Sequence, residues 1–170
     1  MLARPVRRAA IRDEQASFVS LKLGINVVNA DALKPRNFAP VVHGFLDTVR
    51  EGHPETPILV VSPIFCPVHE DTPGPTLARD PGGPFVATAQ AVDAEVAKRA
   101  LTLRRIRAIL EEVVQIRRDS NLHYPDGLTL FGEADVADLP DLLHPNGDGY
   151  VRIGERFAKA AFGPKGPFER

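Results

Sequence analysis

The chain has 170 residues, enough for one compact domain with a real core, and 44% hydrophobic with 25% charged residues is the ordinary balance of a soluble globular protein. A net charge of −1 leaves no general basic field for nucleic acid and no acidic excess. Cys66 is the only cysteine, which excludes an internal disulfide and a multi-cysteine metal site.

Residues 1–12 carry Arg4, Arg7, Arg8 and Arg12 but no apolar signal core. No apolar run approaches the ~18 residues that a membrane span needs. The expectation is a cytoplasmic chain without a membrane span. Residues 18–23, Phe-Val-Ser-Leu-Lys-Leu, read as a buried strand, and Gly24-Ile25-Asn26 as the turn that ends it. Apolar residues at 41, 42, 45, 46 and 49 predict a helix over 41–50, with Pro40 in its first turn and Gly52 just past its end. Ile58-Leu-Val-Val-Ser62 is continuously apolar, as in the middle of a parallel sheet. Residues 64–84 hold five prolines and three glycines and read as a long loop inside the domain, a feature that often carries function.

From 86 to 118 the pattern is helical, with Val92, Val96, Leu103, Ile106, Leu110 and Val113 on one face and Thr102 placed to cap a second start. Arg104, Arg105, Arg107, Arg117 and Arg118 crowd this stretch and read as a solvated helix face. Leu128-Thr-Leu-Phe131 reads as a short strand, and Tyr150, Ile153, Phe157 and Ala161 as a last helix stopped at Gly163-Pro164. The order β-α-β-loop-α-β-α implies a parallel sheet with helices on both faces. Sites in such sheets collect at the C-terminal strand ends, which is where Gly24–Asn26, the 64–84 loop and the segment after Phe131 belong.

Asp141-Leu-Leu-His144-Pro145-Asn146 is the most informative stretch. An Asp three residues before a His can fix one imidazole tautomer while the other nitrogen takes a proton from a nucleophile. With twelve Asp and five His, the spacing alone arises by chance about one time in three. Its position after the last strand and before a capped helix adds weight; the plain alternative is a pair of loop residues tied to local backbone. Asn26 could donate to a developing oxyanion, or Gly24 and Asn26 could simply supply turn chemistry. His69-Glu70-Asp71 reads as solvated loop rather than metal cluster, and Cys66 as a small packing residue rather than a nucleophile. His43, His53 and His123 have no partner visible in the sequence.

Together, Leu23-Gly24-Ile25-Asn26 and Asp141-Leu-Leu-His144-Pro145-Asn146, with Gly149-Tyr150 behind them, resemble blocks III and V of the SGNH/GDSL hydrolases. Val61-Ser-Pro-Ile-Phe-Cys-Pro-Val-His-Glu70 and Leu122-His-Tyr-Pro-Asp-Gly-Leu-Thr-Leu-Phe-Gly132 also look like one actinobacterial-type branch of that family. The resemblance runs from about Ile11 to Phe162. It implies a three-layer, flavodoxin-like α/β fold, ester hydrolysis or acyl transfer through a serine acyl-enzyme, a small ester or acylated substrate, and no metal or cofactor. It makes His144 the general base, Asp141 its orienting carboxylate, Asn26 an oxyanion-hole donor and Gly24 the residue that permits the close turn.

The family's Gly-Asp-Ser block and its second glycine block have no counterpart in residues 1–170. Ser17, Ser20, Ser62 and Ser120 are the only serines, and none follows Gly-Asp. The expectation is therefore a single partial domain missing its first strand or strands, with residues 4–12 left from the helix before the block III strand. Truncation is the preferred explanation, because a pseudo-enzyme usually loses its serine by substitution and keeps the surrounding fold. The alternatives are a non-catalytic pseudo-hydrolase module binding carbohydrate or lipid and, further off, a metal-dependent hydrolase. Loss of the first strand would also leave residues 18–23 as an exposed edge open to self-association.

Overall fold

The computed structural model describes residues 5–169. It opens with α1 (Pro5–Asp13) and β1 (Val19–Lys22), and Gly24 turns the chain directly into the short α2 (Ile25–Asn29). Arg4 lies outside the described residues; the other arginines expected in a leading helix fall in α1. Next comes α3 (Pro35–Gly52), longer than the expected 41–50. Pro35 takes the first helical position, where a missing N–H costs nothing, and Pro40 lies in the second turn instead of the first.

β2 (Ile58–Val61) is followed by two further strands, β3 (Thr76–Ala78) and β4 (Ala87–Ala89), which pair antiparallel. Residues 87–89, expected to be helical, are thus a strand, and part of the 64–84 segment is its hairpin partner. Past it stand α4 (Ala94–Lys98) and α5 (Leu103–Arg117), with Thr102 Oγ1 accepting from Arg105 N at 3.3 Å to cap the second. Val92 and Val96 are exposed, so the helical face that reaches the core begins only at Leu103.

The third strand of the main sheet is β5 (Leu122–His123). Residues 128–131, expected to be a strand, lie in and just past α6 (Gly127–Leu130). Asp126 decides the matter: its carboxylate accepts from Leu128 N at 3.0 Å and its carbonyl from Thr129 Oγ1 at 2.6 Å, which caps a helical turn. Four apolar-rich residues cannot distinguish the two by periodicity. A 3₁₀ turn (Glu133–Asp138) leads to α7 (Gly147–Phe162), capped by Asn146 Oδ1 accepting from Gly149 N at 2.8 Å.

The main sheet has the order β1-β2-β5, with every pair parallel. β2 is buried on both faces. Ile58 and Val60 point into a large core with Val42, Phe45, Leu46, Val49, Leu103, Ile106 and Leu110 from α3 and α5. Leu59 and Val61 point into a smaller one with Leu130, Phe131, Leu139, Ala161 and Phe168. Helices thus lie on both sides of a parallel sheet, an α/β architecture built on alternate β2 side chains.

β1 is different. Val19 and Leu21 are buried, whereas Ser20 and Lys22 are exposed. The expectation of burial on both faces fails because α7 and the C-terminal tail cover β2 rather than β1; only Phe18 is reached, stacked on Phe168 at 4.5 Å. β1 is also an edge, pairing with β2 on one side and with no strand on the other among the described residues.

Candidate active site

Asp141 and His144 lie in the loop between the 3₁₀ turn and α7. Asp141 Oδ2 accepts from His144 Nδ1 at 2.7 Å. Its other oxygen accepts from the backbone N–H groups of Leu143 (2.9 Å) and His144 (2.6 Å). Leu142 between them takes a left-handed backbone with φ of 64°, which is costly for a leucine and folds the loop back on its own carboxylate. Two outside contacts hold that backbone. Cys66 Sγ donates to Leu142 O at 3.3 Å, and Ala87 N donates to Asp141 O at 2.8 Å.

Burial pushes the Asp141 carboxyl up, but the backbone and ring N–H groups of His144 and the N–H of Leu143 outweigh it and hold it below the ordinary range. Asp141 therefore stays ionised and fixes Nδ1 as the protonated nitrogen. Nε2 is left as an acceptor with no protein partner among the described residues.

His144 lines a cavity of about 150 Å³ together with Asn26, Asn29, Lys22 and Tyr150. Ile25, Ile64, Cys66, Leu143 and Pro145 supply its apolar wall. Asn26, on the first turn of α2, and the Asp141–His144 pair thus meet at one cavity past the C-terminal ends of β1 and β2. Gly24 makes this possible. Its φ of 122° suits no L side chain, and an added Cβ would meet Ile106 Cγ2 at 2.6 Å and Pro63 Cγ at 2.7 Å. Only glycine lets β1 turn into α2 this close to α5.

Several cavity residues carry no motif. Asn29, one turn after Asn26, has its Oδ1 buried without a partner. Periodicity along α2 could have suggested it; nothing in the sequence suggests Lys22, and Tyr150 enters the reading only with Gly149 behind the Asp141–Asn146 motif. None of the four serines lines the cavity. Ser62 is fully buried, its hydroxyl accepting from Gly127 N at 2.8 Å and donating to Asp126 Oδ1 at 3.3 Å, a contact that ties β2 to α6. Cys66 does line it, but burial pushes its thiol up, away from the thiolate a nucleophile requires.

Two expectations of a solvated surface are corrected. His69 and Glu70 are buried. His69 Nδ1 donates to Thr72 O at 3.1 Å, and Nε2 meets Thr76 Oγ1 at 2.7 Å. Glu70 pairs with Arg107, itself buried, and Arg107 also donates to Pro63 O at 3.2 Å. Ile64 and Cys66 anchor the start of the loop in the two cores, and this buried pair fastens the segment that follows to α5. His53 is buried as well and meets Ile11 O at 2.7 Å, which fastens α1 to the end of α3. His43 meets Arg117 at 3.3 Å. The described residues contain no cluster of His, Cys, Asp and Glu suited to a metal ion, and no helix long and apolar enough to cross a membrane.

No protein-family model and no curated protein matches the chain. Solved structures do. A salicylyl-acyltransferase from a tetracycline biosynthetic pathway, SsfX3, superposes with a TM-score of 0.70 at 25% identity over 92% of this chain. A "GDSL-like lipase" from Bacteroides ovatus gives 0.57 at 19% identity over 90%, and a carbohydrate esterase family 3 protein from Talaromyces cellulolyticus 0.59 at 16% over 95%. The parallel sheet and its helices have the SGNH/GDSL hydrolase-like fold. The chain spans only 40%, 37% and 62% of the lengths of those three proteins.

Proposed function

We propose that this chain carries the base and oxyanion half of a serine esterase or acyltransferase acting on a small ester or acylated substrate. The observation that carries this reading is the Asp141-bonded His144, whose free Nε2 belongs to the same cavity as Asn26. The nucleophilic serine comes from chain outside these 170 residues, on a segment that pairs with the open edge of β1. His144 Nε2 takes the serine proton as Oγ attacks the ester carbonyl, and Asp141 stabilises the imidazolium that forms. The Asn26 amide donates to the oxyanion. Collapse of the tetrahedral intermediate breaks the ester C–O bond, and the leaving alkoxide takes the proton back from His144. Water, or an acceptor alcohol in acyl transfer, then repeats the sequence on the acyl-enzyme. Among the structural neighbours are an acyltransferase, a lipase-like protein and an esterase, which supports acyl chemistry without choosing between hydrolysis and transfer.

A second reading is favoured by one observation, the absence of any serine from the cavity: a pseudo-hydrolase that binds carbohydrate or lipid without turnover. Labelling with a fluorophosphonate separates the two. The 170-residue chain should not label. A longer form, carrying an in-frame Gly-Asp-Ser upstream, should label in a manner that His144→Ala abolishes. Labelling of Ser62 or Ser120 in the short chain would sink the assignment, and a longer reading frame with no such serine would favour the binding module. The short chain should also self-associate through β1 in sedimentation, and the longer form should not.

A further inference from the structure

Away from the cavity, an open groove of about 840 Å³ lies where the start of α3 approaches α4 and α5. Its floor is apolar. Ala39 and Ile109 are half-buried members of the main core's outer shell. Val96 stands above them, 48% exposed, on a helix that buries no residue at all. With no residue of α4 buried, Val96 turns much of its apolar side chain to open space.

The rim is cationic. Lys34 and Lys98 are already matched, by Asp31 and Glu95, each at 2.7 Å. Arg36, Arg99 and Arg105 have no carboxylate partner among the described residues. Arg105 donates instead to the neutral carbonyls of Lys98 (2.6 Å) and Ala100 (3.4 Å), which fix its guanidinium at the groove without neutralising it. Glu112 is the one acid on the rim. The first turns of α3 and α5 contain no acidic residue, and Asp31, the acid nearest the start of α3, is taken up by Lys34. Three uncompensated arginines around an apolar floor form an unbalanced surface. A ligand that balances it needs a negative head and an apolar body at once.

We propose that this groove binds a soluble amphiphilic anion, a carboxylate or phosphate on a short alkyl or aryl body. The volume falls in the range of small-molecule sites, and the apolar floor accounts for the body as the arginines do for the head. The proposal rests on the groove alone and stands or falls independently of the acyl-transfer reading.

Isothermal titration of the 170-residue chain with decyl phosphate, below its micelle concentration, tests it. Decyl maltoside and decyltrimethylammonium serve as neutral and cationic controls of equal chain length. Decyl phosphate should bind with one-to-one stoichiometry and at least about tenfold more tightly than either control. The double variant Arg36→Glu/Arg99→Glu should lose about tenfold or more in affinity, and Val96→Asp a comparable amount, with melting temperatures near that of the parent. Affinity of the Arg36→Glu/Arg99→Glu variant within about twofold of the parent would overturn the proposal. So would equal affinity for the cationic amphiphile, or binding seen only with anionic phospholipid vesicles, which would mark a membrane-facing surface instead.

Discussion

Two histidines in this molecule have the same chemistry and opposite surroundings. His69 is fully buried between a carbonyl and a threonine hydroxyl, both neutral. The His144 side chain is 62% exposed, and its partner is a carboxylate. In sequence His69 has two carboxylates directly beside it, Glu70 and Asp71. Those carboxylates turn away, Glu70 to Arg107 and Asp71 to Arg104 at 2.7 Å. Adjacent residues leaving the 66–69 turn point in different directions, whereas a left-handed residue at Leu142 folds Asp141 back onto a ring three positions later. A carboxylate becomes a histidine's partner through backbone geometry, not through nearness in the chain. The neutral pair makes a clamp for the 66–76 loop; the carboxylate-bound ring, at an open cavity, is the proposed base.

The largest expected effect separates the two by what each does. In a form of the protein that carries the nucleophilic serine, His144→Ala should lower kcat by about 10³-fold or more, because the proton has no acceptor. Its stability should change by no more than about 0.5 kcal/mol, as for an exposed side chain. His69→Ala should do the reverse. It should cost about 2–3 kcal/mol in urea unfolding, through an unpaired Thr76 hydroxyl and a cavity, and leave the catalytic rate of the folded fraction near the parent's. If His69→Ala folded normally and abolished turnover, the division of labour drawn here would be wrong.

How much of this was open to reading in the sequence follows from the same contrast. β2 announced itself, since four consecutive apolar residues, Ile58 to Val61, in a segment bounded by prolines suit a two-faced core. The Asp141–His144 spacing and the Gly24–Asn26 turn were legible because short-range geometry builds them. Residues 87–89 and 128–131 were misread because three or four residues have no measurable period, and the hairpin partner and the Asp126 cap settled them. The burial of His69, Glu70, Arg107 and His53 was invisible, since each is buried by a partner between 7 and 42 positions away. Long-range pairing leaves no local mark on charged residues, so a charge run was read as solvent-facing.

The next effect tests whether the 66–76 loop is held as a structural unit. Arg107→Leu should destabilise the chain by about 3 kcal/mol, because it leaves the buried Glu70 carboxyl with only the exposed Arg104, at 3.7 Å, as a cation. The double variant Glu70→Leu/Arg107→Leu should recover most of that, since the buried charge goes with its partner. Chemical denaturation of the two variants, compared in a double-mutant cycle, reads the coupling directly. A double variant no more stable than Arg107→Leu would mean that the arginine acts through Pro63 O alone.

The smallest effect is a pH dependence, and its sign follows from which protonation state the fold accepts. Burial pulls the pKa of His69 below that of a free histidine, and burial does the same at His123. Below about pH 6.5 the unfolded chain therefore takes up protons that the folded chain refuses at these two positions. Stability is fully present above that pH and declines as pH falls toward the folded values, with a slope of at most about 1.4 kcal/mol per unit for each group. Asp141 and also Asp135, a buried residue of the 3₁₀ turn held by Arg156 (2.6 Å) and Arg152 (2.8 Å), lie below the ordinary carboxylate range, so their contributions persist to lower pH and are lost only below about pH 4. Burial pushes the Glu70 carboxyl up, so its contribution runs the other way as pH falls; urea midpoints of the parent and the histidine variants, compared between about pH 6.5 and 5, therefore read the histidines by difference. His69→Gln should flatten the decline in part, and His69→Gln/His123→Gln should remove most of it. A slope unchanged by both substitutions would show that the buried ring takes up its proton as readily in the folded loop as in water, and that the clamp around it is open.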